Sequence, residues 1–95
     1  MQALIYDLGY QKKGTTIEIK LPFATNVRLF DKVNCDLFRN KQKHTFYGGY
    51  VKVSPYRMAI PEEKHWYIAV DVQGDTSNVN VGINVVPPKL RDVPQ

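Results

Sequence analysis

The chain is made of short runs in which apolar and polar residues alternate, and no helix of three turns can be placed anywhere along it. In 65–72, HWYIAVDV, Trp66, Ile68, Val70 and Val72 fall on one face and Tyr67, Ala69 and Asp71 on the other. In 15–21, TTIEIKL, Ile17, Ile19 and Leu21 oppose Thr16, Glu18 and Lys20. A period of two belongs to a strand with one buried face. Residues 25–31 repeat it, with Val27 and Leu29 inward and Asn26, Arg28 and Phe30 outward. Residues 2–9, 44–53, 56–60 and 77–86 complete the set; in the last, Val79, Val81, Ile83 and Val85 point inward. Between the runs stand Gly9, Gly14, Pro22, Ser54-Pro55, Pro61 and Gln73-Gly74-Asp75, the residues that turns use. The spacing predicts an all-β, antiparallel β-sandwich of about seven or eight strands, jelly-roll-like and without substantial helix, with a small barrel as the competing architecture. Residues 1–86 are expected to form a single domain and 87–95 a flexible C-terminal tail.

Two segments depart from the alternation. Residues 32–43, KVNCDLFRNKQK, are polar, and there is room for one helical turn around Cys35–Phe38. Gly48 and Gly49 interrupt 44–53, and adjacent glycines in a strand imply a bulge, a sharp bend or a close approach of another backbone. Trp66 reads as a core residue whose indole N–H is given to a backbone carbonyl.

The 95 residues bear a net charge of +4, unevenly placed. Arg39, Lys41, Lys43, Lys52 and Arg57 follow one another without an acidic residue between them, and His44 lies in their midst. Such a segment is either a solvated edge or a field that attracts anions, nucleic acid or acidic proteins. No apolar run nears the ~20 residues of a membrane span. The N-terminus has its basic residues after its apolar stretch, the reverse of a secretion signal. With Cys35 alone, no intrachain disulfide can form. These features predict a cytoplasmic protein with no membrane association.

Little points to catalysis. His44 and His65 lack the spacing of a metal motif, and one cysteine does not complete a zinc site with them, so neither a metal nor a cofactor is expected. Pairing of Cys35 with either histidine as a nucleophile is a chance match of few residues. Asp7, Asp31 and Asp71 are expected to cap turns or pair with cations. Arg28 either pairs across strands with one of these aspartates or offers its fork of donors to a carboxylate or phosphate. Tyr47 and Tyr50, near Lys43, His44 and Lys52, resemble the aromatic-and-basic surfaces that hold single strands of nucleic acid, or else simply cover a sheet face.

Taken in order, YDLG at 6–9, NVRLFD at 26–31, HTFYGGY at 44–50, SPYRMAIP at 54–61 and HWYIAVDVQG at 65–74 resemble a bacterial family of unknown function, DUF1883. Its members stand alone or as the N-terminal module of TIR-domain proteins. The resemblance covers about Tyr6 to Val86 and implies a β-sandwich without established catalytic residues. It also implies a recognition or assembly role in bacterial defence or signalling. The matching polar positions are Asn26, Arg28, Asp31, His44, Tyr47, Gly48, Gly49, Ser54, Arg57, His65 and Tyr67. Lys64 stands where relatives have glycine, and Asn80 and Asn84 where they have basic residues, which weakens a nucleic-acid reading.

The expectation is therefore a non-enzymatic recognition module. Its candidate ligand-binding residues are Asn26, Arg28, His44, Tyr47, Gly48, Gly49, Arg57, His65 and Tyr67. Its partner is expected to be a protein or an anionic small molecule, with nucleic acid, carbohydrate on a tyrosine platform, or self-assembly into a homo-oligomer as rivals.

Overall fold

The computed structural model describes residues 2–73 and 79–88. It contains β1 (Gln2–Gln11), β2 (Thr16–Lys20), β3 (Thr25–Asp31), α1 (Lys32–Arg39), β4 (Tyr47–Val51), β5 (Tyr56–Ala59), β6 (Lys64–Val72) and β7 (Gly82–Val86). The strands make two antiparallel sheets, one in the order β1-β6-β3-β4 and one in the order β5-β2-β7. The β-sandwich read from the alternation is the fold. Residues 74–78 and 89–95 lie outside the described residues. With them lie the turn at Gly74-Asp75, the start of the run at 77–86 and most of the expected tail.

The alternating residues meet where the period sends them. Ile17, Ile19, Val27, Leu29, Val51, Met58, Ile60, Trp66, Ile68 and Val70 form one buried cluster between the sheets. Each fully buried aliphatic side chain there contributes about 1.5–3 kcal/mol. The Trp66 indole N–H donates to the Glu62 carbonyl over 2.9 Å, so the one polar atom of the ring is satisfied. β1 runs on past Gly9 to Gln11 through a bulge between Asp7 and Gly9, where the Gly9 N–H donates to the Asp7 carboxylate. Val85 is exposed, so the inward reading of 77–86 holds for Val81 and Ile83 and fails at its end.

The irregular segment holds more helix than the single turn expected. Asp31 caps α1, its carboxylate accepting from the Asn34 backbone N–H at 3.0 Å and from the Asn34 amide at 2.9 Å. Lys32 reaches Asp36 at 3.1 Å, and Arg39 stands in the last turn, where the helix dipole favours a cation. Cys35 and Phe38, three residues apart, press onto the outer face of the four-stranded sheet. There Phe30, Cys35, Tyr67 and Ala69 form a second buried cluster, flanked by Ala3, Ile5 and Phe38. Phe30 does point away from the sandwich, as the alternation requires, but it is buried under the helix.

Gly48 resolves the question of the double glycine. Its φ is +125°, and a Cβ there would collide with the Val27 carbonyl oxygen, so β3 approaches too closely for any side chain. Gly49, at φ +149°, has open space around it. Gly48→Ala is therefore expected to lower stability by about 1–3 kcal/mol through strain and loss of β3–β4 pairing. Gly49→Ala should lower it less, and urea denaturation of the two variants checks the order.

Asp31 adds a pH dependence. Burial pushes its carboxyl up, but the Asn34 hydrogen bonds and the Lys64 ammonium outweigh this and hold it below the usual range. A depressed folded value means that its stabilisation is complete above the unfolded value of about 3.9. That stabilisation disappears as pH falls through the folded value. Asp31→Asn keeps a capping acceptor and removes the titration. It should flatten, without abolishing, the decline of stability below about pH 4 in urea titrations.

Candidate functional site

The helix covers only part of the outer face of the four-stranded sheet. In the uncovered part Arg28, on β3, donates to the Asp71 carboxylate of β6 over 2.6 Å, with the Asp71 side chain buried and that of Arg28 largely so. The Arg28 guanidinium carbon lies 5.3 Å from the Phe38 ring centre and 5.4 Å from that of Phe46, within cation–π range of both. Of the alternatives for Arg28, the cross-strand pair with Asp71 is the one formed, and it leaves the guanidinium on the floor of an open surface.

Two hollows flank this pair. One, of about 430 Å³, is lined by Phe23, Thr25, Asn26, Tyr50, Asp71 and Val72 among others. The second, of about 420 Å³, lies between β1 and the C-terminal end of α1 and is lined by Ala3, Ile5, Arg28, Phe38, Arg39 and Lys41 together with Gln2 and Asp71. Its walls are apolar and its rim is cationic. The one carboxylate in it is engaged by Arg28. Among the described residues neither Arg39 nor Lys41 forms a salt bridge. Lys41 also holds a positive φ of 58°, in a turn whose N–H donates to the Phe38 carbonyl.

The nine residues expected to bind are dispersed. Asn26 and Arg28 share the open outer face, and in the strand register Gly48 lies opposite Arg28. His44 is next to them but packs as a ring among rings, 5.2 Å from Phe38, 5.7 Å from Phe46 and 5.9 Å from Phe30. Its Nδ1–H donates to the Gln42 carbonyl at 3.0 Å, and its Nε2 is buried without a partner among the described residues. Tyr47 pairs with Leu29 and Tyr50 with Asn26, which puts the two tyrosines on opposite faces. They form no common stacking platform. Tyr47 instead stands edge-on to Trp66 at 6.2 Å.

His65 and Tyr67 belong to a different cluster. The His65 ring stacks on Tyr67 at 4.9 Å, its Nε2–H donates to Asp7 at 2.6 Å, and the Arg39 guanidinium lies 5.7 Å from the Tyr67 ring centre. Hydrogen bonds from the Gly9 backbone and from His65 hold the exposed Asp7 carboxyl below the usual range. This cluster ties β1 to β6. Arg57 is on the other sheet, directly across from Glu18 and bonded to it at 2.9 Å. The basic segment 39–57 is therefore not one surface. Arg39 and Lys41 line the groove, Lys43 and Lys52 flank β4, and Arg57 faces elsewhere.

Some chemistry can be placed as well. Burial pushes the Cys35 thiol up, and its side chain lies inside the second core cluster, the setting of a structural cysteine. Among the described residues no three histidine, cysteine or acidic side chains gather as metal ligands would. No described helix is long and apolar enough to cross a membrane. Arg39, Lys41, Phe46 and Asp71 were missed as a site. The two cations were visible in the basic run, but nothing in their spacing shows that the end of a helix turns them onto the sheet.

Fold and surface together define a small β-sandwich domain with one helix-capped face and an open cationic groove beside the cap. The chain belongs to the family described as Domain of unknown function (DUF1883), whose model it matches over residues 1–89. No curated protein and no solved structure is significantly similar to it.

Removing Arg28 would leave the buried Asp71 carboxylate without its partner. Arg28→Ala is expected to destabilise the fold by about 1–3 kcal/mol, the range for stranding one buried polar group. Thermal denaturation followed by circular dichroism checks this, and a midpoint equal to that of the parent would show that the pair is dispensable.

Proposed function

We propose that this domain is a non-enzymatic recognition module that binds an anionic ligand in the groove between β1, β3 and the C-terminal end of α1. The observation that carries the reading is that Arg28, Arg39 and Lys41 converge on an apolar-walled hollow whose single carboxylate is already engaged. A helix C-terminus by itself attracts cations, which accounts for Arg39 and Lys41 lying there. It does not account for their opening onto Ala3, Ile5 and Phe38. The fitting ligand has a carboxylate or phosphate head and a compact apolar body. A setting in the bacterial cytoplasm, alongside TIR-domain signalling, is supported by the ordered motifs from Tyr6 to Gly74. A nucleic-acid reading has less support, because Tyr47 and Tyr50 are turned to opposite faces.

The test avoids Arg28, whose loss disturbs the fold. Arg39→Gln and Lys41→Asn are combined, since asparagine tolerates the positive φ of Lys41. Native mass spectrometry on freshly purified protein is expected to show extra bound mass in the parent and in Arg57→Gln, and none in the groove variant. A medium-chain carboxylate and inorganic phosphate serve as defined probes in thermal-shift titrations. The carboxylate is expected to raise the melting temperature of the parent more than phosphate does. Equal responses from parent and groove variant, or no response to either anion, would overturn the reading.

A further inference from the structure

We propose that β4 is an open docking edge that takes an extended, acidic segment of a protein partner by strand addition. The proposal stands apart from the anion groove and rests on a different surface. Among the described residues β4 pairs with β3 alone, so its other edge presents unpaired backbone N–H and C=O groups. Proteins usually blunt such an edge with a charge, a proline or a bulge. β1 follows that rule with Asp7 and its bulge, and β5 with Arg57. β4 reads Tyr-Gly-Gly-Tyr-Val and has none of the three. Its two adjacent glycines also leave it a weak strand, since they bring no side chains to pack against its neighbour. An added neighbour would therefore contribute stability where the sheet has least.

The side chains around this edge describe the guest. Phe23, Phe46, Tyr47, Tyr50 and Val53 are all between 43% and 62% exposed and lie on β4, on its flanks or beside its outer face. Exposed apolar residues grouped in this way mark an interaction surface. Tyr47 on one face and Tyr50 on the other leave the glycine positions between them as slots for alternate side chains of an incoming strand. Lys43 and Lys52, both exposed, stand at either end, and no acidic residue occurs between Asp36 and Glu62. An acidic guest matches that charge. A second copy of this chain does not, because antiparallel pairing of two β4 edges would gather Lys43 of one copy and Lys52 of the other at the same end, like charge beside like charge. β7 is likewise uncharged, but no comparable group of aromatic side chains and lysines surrounds it among the described residues.

The experiment uses a synthetic peptide of alternating valine and glutamate, long enough to span β4, and a control with lysine in place of glutamate. Hydrogen exchange followed by mass spectrometry reads the site. The glutamate peptide is expected to bind and to slow exchange in 47–51, while the lysine peptide leaves it unchanged. Combining Lys43→Glu with Lys52→Glu, at exposed positions, should weaken the glutamate peptide by about tenfold and let the lysine peptide bind. The Arg39→Gln, Lys41→Asn variant should bind the glutamate peptide as the parent does, which separates this edge from the groove. Absence of binding, slowed exchange at β1 or β7 instead of β4, an unchanged preference after charge reversal, or loss of binding in the groove variant would each overturn the proposal.

Discussion

The four-stranded sheet carries apolar residues on both of its faces, and the rest of the structure is arranged around that condition. Two-residue alternation supplies an apolar face toward the opposing sheet, through Val27, Leu29, Trp66, Ile68 and Val70. The same strands carry Phe30, Tyr67 and Ala69 on the other side, and a bare sheet would leave these in water. The chain answers with α1, placed directly after β3, so that Asp31 ends the strand and caps the helix at once. Cys35 and Phe38 then return over Phe30, and the second cluster closes. β3 and β6 are thereby held from both sides, and the Arg28–Asp71 pair marks where that cover ends.

The open features of the surface follow from the short reach of this cover. An eight-residue helix spans about 12 Å, less than the sheet beneath it. The groove forms where the helix stops, between its last turn and β1, and the cations of that last turn line it. At the other margin β4 is pressed so close to β3 at Gly48 that no side chain fits, and its free edge is left without the charge or bulge that protects β1. Both surfaces are places where burial was left incomplete, and they differ in what they offer. One presents charged side chains over an apolar floor, the other a backbone edge flanked by aromatic rings.

Much of the fold could be read from the residues. The alternation in 15–21, 25–31 and 65–72 placed the strands and the inter-sheet core, and the glycine and proline positions placed most of the turns. The helix was harder. The core residues it contributes are Cys35 and Phe38, too few to raise a periodic signal above a polar loop. The site was legible only in pieces. Arg28 was found because a charged side chain in mid-strand is conspicuous, and Asn26 because it matches the motif NVRLFD of the family resemblance. Arg57 and His65 carried equally good chemistry and turned out to be engaged by Glu18 and Asp7 on other parts of the surface. Tyr47 and Tyr50 looked like neighbours in the chain, yet an odd separation along a strand sends them to opposite faces.

The sequence by itself determined the local rules: which residues alternate, where the chain turns, and that one segment is free of acidic groups. These are properties of a residue and its near neighbours, set by backbone sterics and by the period of a strand. Only the tertiary structure decided which charges meet. Arg28 pairs with Asp71, 43 positions away, because β3 and β6 are adjacent in the sheet, and Arg39 and Lys41 face the outer sheet because α1 folds back across it. Strand order and helix packing depend on how the whole core closes, a cooperative balance of burial that no single segment contains.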